Sequence, residues 1–457
     1  MPKRTHTQMT PSEWRASTSM AGLYALRMLG MFLVLPVLAL HAHSMSQDMR
    51  MVGLAMAMYG LTQALLQLPL GVLSDKWGRK KVIYLGMSVF ALGSFMAAFA
   101  QSVEMLIIAR AIQGAGAVSA AVTALLADLT RDEVRTRAMS MIGLSIGLTF
   151  AVSLVLSPIL TQFIGVNGLF VLMGVLSLSS LAVVHWFTPN PVAMRFHEDA
   201  QMQPARLMEA LKSRPLMRLN YGIFALQAGL MAIFTTLPFA LRELGWEKLD
   251  HWKVYLPAAI LGLVLMVPAI IVGETRNKLK QVFVAGIVLV LFAQAALMLS
   301  IHSVWAIGVC LVVYFVGFNI LEASLPSMVS KIAPSDLKGT AMGVYNTMQS
   351  LGVFSGGLIG SKMYALAAFN GVFGFCCVIV LVWLVLAVLS PAPRPVKNVM
   401  FGVPKQHHSS LDKLSGSLKA VAGVEMVSFS ADGQTVFIKA LQHGFDEEKV
   451  QQILMGA

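Results

Sequence analysis

Apolar residues run through this chain in blocks of about 20, the length a helix needs to cross a ~30 Å hydrocarbon layer, with polar clusters between them. Twelve such blocks are predicted to be membrane-spanning helices, at about 19–40, 51–73, 81–100, 104–128, 138–161, 166–188, 218–241, 253–273, 281–300, 304–330, 339–362 and 369–390. A polar stretch at 189–217, holding Pro189, Pro191, Pro204 and Pro215, divides them six and six, and within it 205–213 is expected to form a short surface helix. The first 18 or so residues are polar. The block after them contains Arg27 and no small-residue cleavage pattern, so it reads as a retained span and not a signal peptide.

The two halves share sequence at a nearly constant offset. Asn167-Gly168-Leu169-Phe170 recurs as Asn370-Gly371-Val372-Phe373 and Ala138-Met139 as Ala341-Met342, both 203 residues on, and Gly71 recurs as Gly273, 202 residues on. Matches so closely spaced, each at the same place within its span, indicate a duplicated six-helix unit. Beyond Pro391-Ala-Pro-Arg-Pro395, a stiff linker, the pattern changes to that of a small soluble module. Residues 409–420 read as an amphipathic helix through Leu411, Leu414, Leu418 and Val421, and 424–430 and 434–440 alternate as strands about the hairpin signal Asp432-Gly433. With an earlier strand at 398–403 and a second helix at 446–454, the order is β-α-β-β-α. The expected organisation is an all-α membrane part, with one six-helix bundle over 1–188, a cytoplasmic linker over 189–217 and a second bundle over 218–390. A cytoplasmic α+β domain of ferredoxin-like kind follows over 396–457.

Composition agrees. Hydrophobic residues are 57% of the 457 and charged residues 12%, about half the charge of an ordinary soluble domain. The net charge of +12 raises the question of nucleic acid, and the position of the charges answers it. Nineteen Lys and Arg fall in segments on one side of the predicted spans and five on the other, which puts both termini in the cytoplasm by the positive-inside bias. The excess is thus a topology signal that also meets anionic lipid head groups, and no nucleic-acid partner is expected. Cys310, Cys376 and Cys377 lie in apolar stretches without metal-ligand spacing, so no metal site is expected.

The sharpest motif follows the second block: Gly71-Val-Leu-Ser-Asp75-Lys-Trp-Gly78-Arg79-Lys80-Lys81. Gly71 lets another helix approach, Gly78 permits a tight turn, and Asp75 can accept N–H groups at the positive end of a helix. The run resembles the signature between the second and third helices of the major facilitator superfamily. The second-half copy, Gly273 to Lys280, keeps the glycine and basic residues and loses the acid. The resemblance implies that Asp75 meets the start of the eleventh helix at Gly339-Thr340 while Arg79 bridges to Asp128. Asp75, Arg79 and Asp128 would then latch the halves together on the cytoplasmic side when the cavity faces outward.

Leu106-x-x-x-Arg110-x-x-Gln113-Gly114-x-Gly116-Ala117 in the fourth span, and Leu29-Gly30 with Pro36-Val37 in the first, resemble motifs of proton-coupled drug exporters. The fifth span departs from that pattern: it reads Gly143-x-x-x-Gly147-Leu148 and places its proline late, at Pro158. A cation at membrane depth is costly, so Arg110 is expected to face a cavity or an acid. Glu322, in the tenth span with Asn319 on its face, is the acid placed well inside a helix. Such a carboxyl suits a carrier that picks up and releases protons, and Arg27 or Arg110 is expected to modulate it by charge. Gln63, Gln67, Gln113, Gln227, Asn319, Tyr345, Asn346 and Gln349 are candidate cavity residues, while His41 and His43 sit at the outer end of the first span.

With the tail, Lys338-Gly-Thr-Ala-Met-Gly-Val-Tyr345 and His251-Trp-Lys-Val-Tyr255, the chain resembles the YajR-type drug-efflux branch of that superfamily. The resemblance implies a multi-pass protein of the bacterial inner membrane, acting as a monomer by alternating access on a small-molecule substrate. It would use no cofactor and draw on a proton gradient, and it would not be an enzyme. No G-x-x-x-x-G-K-[ST] loop points to ATP. An uptake symporter, or a membrane sensor with the tail as output, are the competing readings, and the tail is expected to be regulatory.

Overall fold

A computed structural model of the chain describes residues 9–116, 118–189, 207–247, 250–275, 278–334, 337–390, 396–404, 411–429, 435–441 and 444–455. Twelve helices make the membrane part: α1 Pro11–Met45, α2 Met49–Trp77, α3 Arg79–Ala98, α4 Val103–Ala115, α5 Ser119–Leu129, α6 Asp132–Trp186, α7 Leu207–Lys212, α8 Arg214–Glu243, α9 Trp252–Thr275, α10 Leu279–Ser300, α11 Val304–Ile332 and α12 Lys338–Val388. All except α7 contribute to stretches long and apolar enough to cross a membrane.

Four differences from the expected spans have local causes. The fifth and sixth spans form one helical run, α6, broken where Gly165 takes φ 67°. The eleventh and twelfth are likewise joined in α12 across the non-helical Ala367 and Ala368. The fourth span is not one helix but two, α4 and α5, interrupted beside Gly116. A Cβ on Gly116 would lie 2.9 Å from the Phe90 Cβ of α3, so the chain needs glycine where α3 passes. α1 also begins eight residues before the apolar block, because Thr10 and Glu13 form a reciprocal capping box at its start. The predicted surface helix at 205–213 appears as α7.

Within the first half α1 packs on α6 and α3 on α4 and α6; within the second, α8 packs on α12 and α9 and α10 on α11. α2 and α12 join the halves. Apolar burial follows this plan. Met20, Leu23, Val82, Met87, Val122 and Leu125 form a core inside the first half alone, whereas a larger core runs through both halves.

The tail has the order β1 Val396–Gly402, α13 Leu411–Lys419, β2 Val424–Phe429, β3 Thr435–Leu441 and α14 Glu447–Met455. β3 lies between β1 and β2, antiparallel to both. Leu414, Leu418 and Val421 pack with Val436, Ile438, Ala440, Val450 and Leu454 into a separate small core. The hairpin signal Asp432-Gly433 and His407-His408 lie outside the described residues.

Candidate functional site

Three polar clusters and one apolar closure organise the membrane part. The first cluster stands at the turn between α2 and α3. Gly78 ends α2 and starts α3 at φ 101°, a left-handed conformation that favours glycine. That turn aims Arg79 back along α2. Its guanidinium donates to the Asp75 carboxylate, to Ser74 Oγ at 2.9 Å and to Asp128 Oδ2 at 3.2 Å at the end of α5. The expected Arg79–Asp128 bridge is therefore formed, and Asp75 meets Arg79 within the same half. Gly71 is buried one turn before Asp75. Gly339 stands at the second position of α12, followed by the fully buried Thr340.

The second cluster lies inside the first half. Arg27 of α1 donates through Nη1 to Ser119 Oγ at 3.0 Å and through Nη2 to the Tyr59 hydroxyl at 3.3 Å. The break in the fourth span puts Ser119 there, since it opens α5. Arg110 of α4 donates to Gln113 Oε1 at 2.8 Å, one turn on, and Gln113 passes the chain to Ser94 Oγ of α3 at 2.8 Å. The Arg110 guanidinium carbon stands 4.9 Å from the centroid of the Tyr59 ring, a cation–π arrangement.

The third cluster lies in the second half. Glu322 of α11 accepts from Gln227 Nε2 of α8 at 3.1 Å and from Gln349 Nε2 of α12 at 3.2 Å. Three helices thus converge on one carboxyl. The structure pairs it with two amides and joins it to neither arginine by an ion pair among the described residues; the expected modulation by Arg27 or Arg110 has no direct contact behind it. Asn319, Asn346 and Gln349 are half-buried and Tyr345 is buried. Gln63 is half-buried, whereas Gln67 is fully buried and its amide has no hydrogen-bond partner among the described residues, so these two do not join the Glu322 cluster.

The halves close at the end away from the termini. Phe150 of α6 meets Phe32 of α1 at 5.0 Å between ring centroids and reaches across to Phe315 of α11 at 5.9 Å and Phe234 of α8 at 6.4 Å. Farther out, His43 lies edge-on to Phe239 at 5.1 Å. Beside them a cavity of about 390 Å³ is lined by His43, Met49, Phe239, Arg242, Glu243 and Tyr364. Glycines let α2 and α12 touch there: a Cβ on Gly60 would come within 2.7 Å of the Ser350 carbonyl oxygen, and one on Gly357 within 3.1 Å of the Ala57 nitrogen.

Sequence reasoning missed Tyr59, Ser119, the phenylalanine cluster and the partnership of Glu13 with Arg131. Thr10-Pro-Ser-Glu13 carried a readable capping signal that puts Glu13 at the start of α1, but its pairing with Arg131, like the others, depends on contacts between distant segments.

The profile of the Major Facilitator Superfamily matches residues 20–357, with a second match at 280–431. The chain is 38% identical over 433 residues to the inner membrane transport protein YajR of Escherichia coli, covering 94% of this chain and 95% of that one. It is 28% identical over 356 residues to the multidrug resistance protein MdtH of Aeromonas hydrophila, covering 75% and 86%. The fold is similar to the crystal structure of a bacterial homologue of the human lysosomal transporter Spinster, in an inward-facing and occupied conformation. That match has a TM-score of 0.67 and 13% identity and covers 83% of this chain and 96% of the other.

Proposed function

The chain belongs to the Major Facilitator Superfamily, and from that membership we propose that it is a proton-coupled exporter of small organic compounds in a bacterial inner membrane. Glu322 carries this reading. Its carboxyl sits at membrane depth between two glutamine amides, groups that can donate to it when ionised and accept from it when protonated. An acid so placed can hold a proton in one state and give it up in the other without a fixed counter-ion.

The path of exchange follows from the closure. On the reading that both termini are cytoplasmic, the Phe150 cluster and the α2–α12 contact would seal the outer side and leave the cytoplasmic side as the open one. Substrate enters between the bundles, the halves rock about the central clusters, and the latch residues Asp75, Arg79 and Asp128, with Gly339 opposite, close the inner side in turn. The 390 Å³ cavity then becomes part of the outer mouth. The relative named a multidrug resistance protein supports the export direction, while the altered fifth-span motif, with Gly147-Leu148 and the late Pro158, favours uptake as the second reading.

The tail is a three-stranded, two-helix module whose β1-β3-β2 order supports a ferredoxin-like reading, and its place after the last span suits regulation of the inner gate. Unaltered transport kinetics after truncation at Arg394 overturn that regulatory role.

Everted vesicles holding the chain decide the main question. Substrate accumulation with proton release from the lumen, lost in Glu322→Gln, is the expected result. Proton flow in the same direction as substrate establishes uptake, and substrate binding without flux establishes a sensor.

A further inference from the structure

Arg27 and Arg110 are 1% and 3% exposed. Tyr59 lies between them, its hydroxyl taking a hydrogen bond from Arg27 and its ring facing Arg110. Their remaining hydrogen-bond partners are neutral, Ser119 and Gln113. Among the described residues no acid forms an ion pair with either, and the Nε of each has no hydrogen-bond partner. Taking a cation out of water costs several kcal/mol unless an anion compensates. Here two are buried about one tyrosine.

The same half shows what the chain does when it neutralises a buried arginine itself. Arg79, 9% exposed, receives two carboxylates, Asp75 and Asp128. Nothing equivalent is supplied for Arg27 and Arg110. Among the described residues, then, two buried guanidiniums each keep an Nε donor unused and have no acid paired with them.

We propose that Arg27 and Arg110 form an anion-binding site and that the transported compound is a small organic anion, a carboxylate or sulfonate on an aromatic body. This rests on the transporter reading and names its substrate class. The guanidinium fork matches the spacing of two oxygens on such a group. An aromatic surface lies further along the same helix: Phe32, about 7.5 Å of rise beyond Arg27 on α1, belongs to the cluster with Phe150, Phe234 and Phe315.

The test uses the full-length purified protein in detergent and thermal unfolding at constant ionic strength. The probes are naphthalene-2-sulfonate, naphthalene-2-carboxylate, 2-naphthylmethylammonium and sodium sulfate. Both naphthalene anions are expected to raise the unfolding midpoint saturably, the ammonium probe to leave it unchanged, and sulfate to act more weakly than the anions. Arg27→Gln and Arg110→Gln are each expected to weaken binding of the sulfonate about tenfold or more, the scale of one charge-assisted hydrogen bond. Arg242→Gln, in the outer cavity, is expected to leave it unchanged. Where a glutamine variant does not fold, Arg27→Lys and Arg110→Lys keep the charge and lose the fork, and are expected to weaken the sulfonate in the same direction.

Equal stabilisation by the ammonium probe, the full effect from sulfate alone, or undiminished sulfonate binding in both arginine variants overturns the proposal. Glu322→Gln separates it from the reading beneath it. Anion binding without proton-coupled flux removes the exporter and keeps the site, whereas proton-coupled flux of the ammonium probe keeps the exporter and removes the site.

Discussion

Glu13 in the first turn of α1 accepts from Arg131, 118 residues away, at three donors: the backbone N–H at 3.0 Å, Nε at 2.7 Å and Nη2 at 3.0 Å. Arg131 is the residue just before α6, so the carboxylate also sits at the positive end of that helix. The hydrogen bonds from Arg131 pull the Glu13 carboxyl from its ordinary 4.5 down to about 2, against the opposing effect of burial. A lowered folded-state value means that stabilisation is full above 4.5 and is lost as pH falls towards 2. Glu13→Gln is expected to cost about 1–3 kcal/mol, the range for leaving a buried polar partner unsatisfied. Unfolding midpoints of wild type and variant should differ at pH 7 and converge as pH drops through that window.

Arg79 divides its donors between the acid four residues before it and Asp128 on another helix. Both pairs lie within the first half and are already formed in the state described, so they bias the equilibrium only through a contact made in the closed state alone, the proposed meeting of Asp75, positioned by Arg79 and Asp128, with the start of α12; a charge-assisted hydrogen bond made there, about 1.5–3 kcal/mol, alters the two-state ratio about tenfold or more. Asp75→Asn and Asp128→Asn are expected to lower the population closed on the terminal side, read by spin-label distances between the bundles there. Arg79→Lys should behave like them, because an ammonium does not span two carboxylates as a planar fork does. Distance distributions indistinguishable from wild type in all three remove the latch.

Most of the architecture was legible because it is written in single segments. Apolar length gives the spans, and Gly78 with Arg79 gives the turn that the structure shows. The motif after α2 even gave the Arg79–Asp128 contact, since the resemblance carries that pairing. What one segment does not record is which face of it meets which other segment. Glu322 read as an acid seeking an arginine, yet two glutamines on α8 and α12 reach it first; Gln227 and Gln349 were candidates, and their joint action on one carboxyl was not visible. The fourth span read as continuous because Ala115 to Ser119 holds no proline or charge, and only the passage of α3 at Phe90 shows why a glycine stands at the break. That break sets Ser119 against Arg27, so the arginine pair could not be assembled from spacing alone.

The tail should fold by itself. Leu418 is fully buried among Leu414, Val436 and Ile438. Leu418→Ala is expected to cost the tail about 2–5 kcal/mol, more than a module of about 60 residues can readily lose. Limited proteolysis should then clear the tail and leave the membrane helices intact; protection equal to wild type counts against an independent core.

The closure at the end away from the termini depends on glycines whose missing side chains are replaced by backbone. A Cβ on Gly60 would stand 2.7 Å from the Ser350 oxygen and 2.8 Å from the Phe354 nitrogen, atoms that cannot turn aside as a side-chain tip can. Relief requires α2 and α12 to separate, and separation loosens the seal that Phe150 makes with Phe234 and Phe315. Gly60→Ala is therefore expected to raise the outward-open population. A cysteine placed at Leu154, fully buried one turn beyond Phe150 in the same core, should react faster with a membrane-impermeant thiol reagent added from outside. Gly22→Ala is the matched control: a Cβ there meets nothing within 4 Å, so the same α-helical substitution should leave the rate unchanged. Equal rates in the two variants would show that the helix contact at Gly60 does not set the closure.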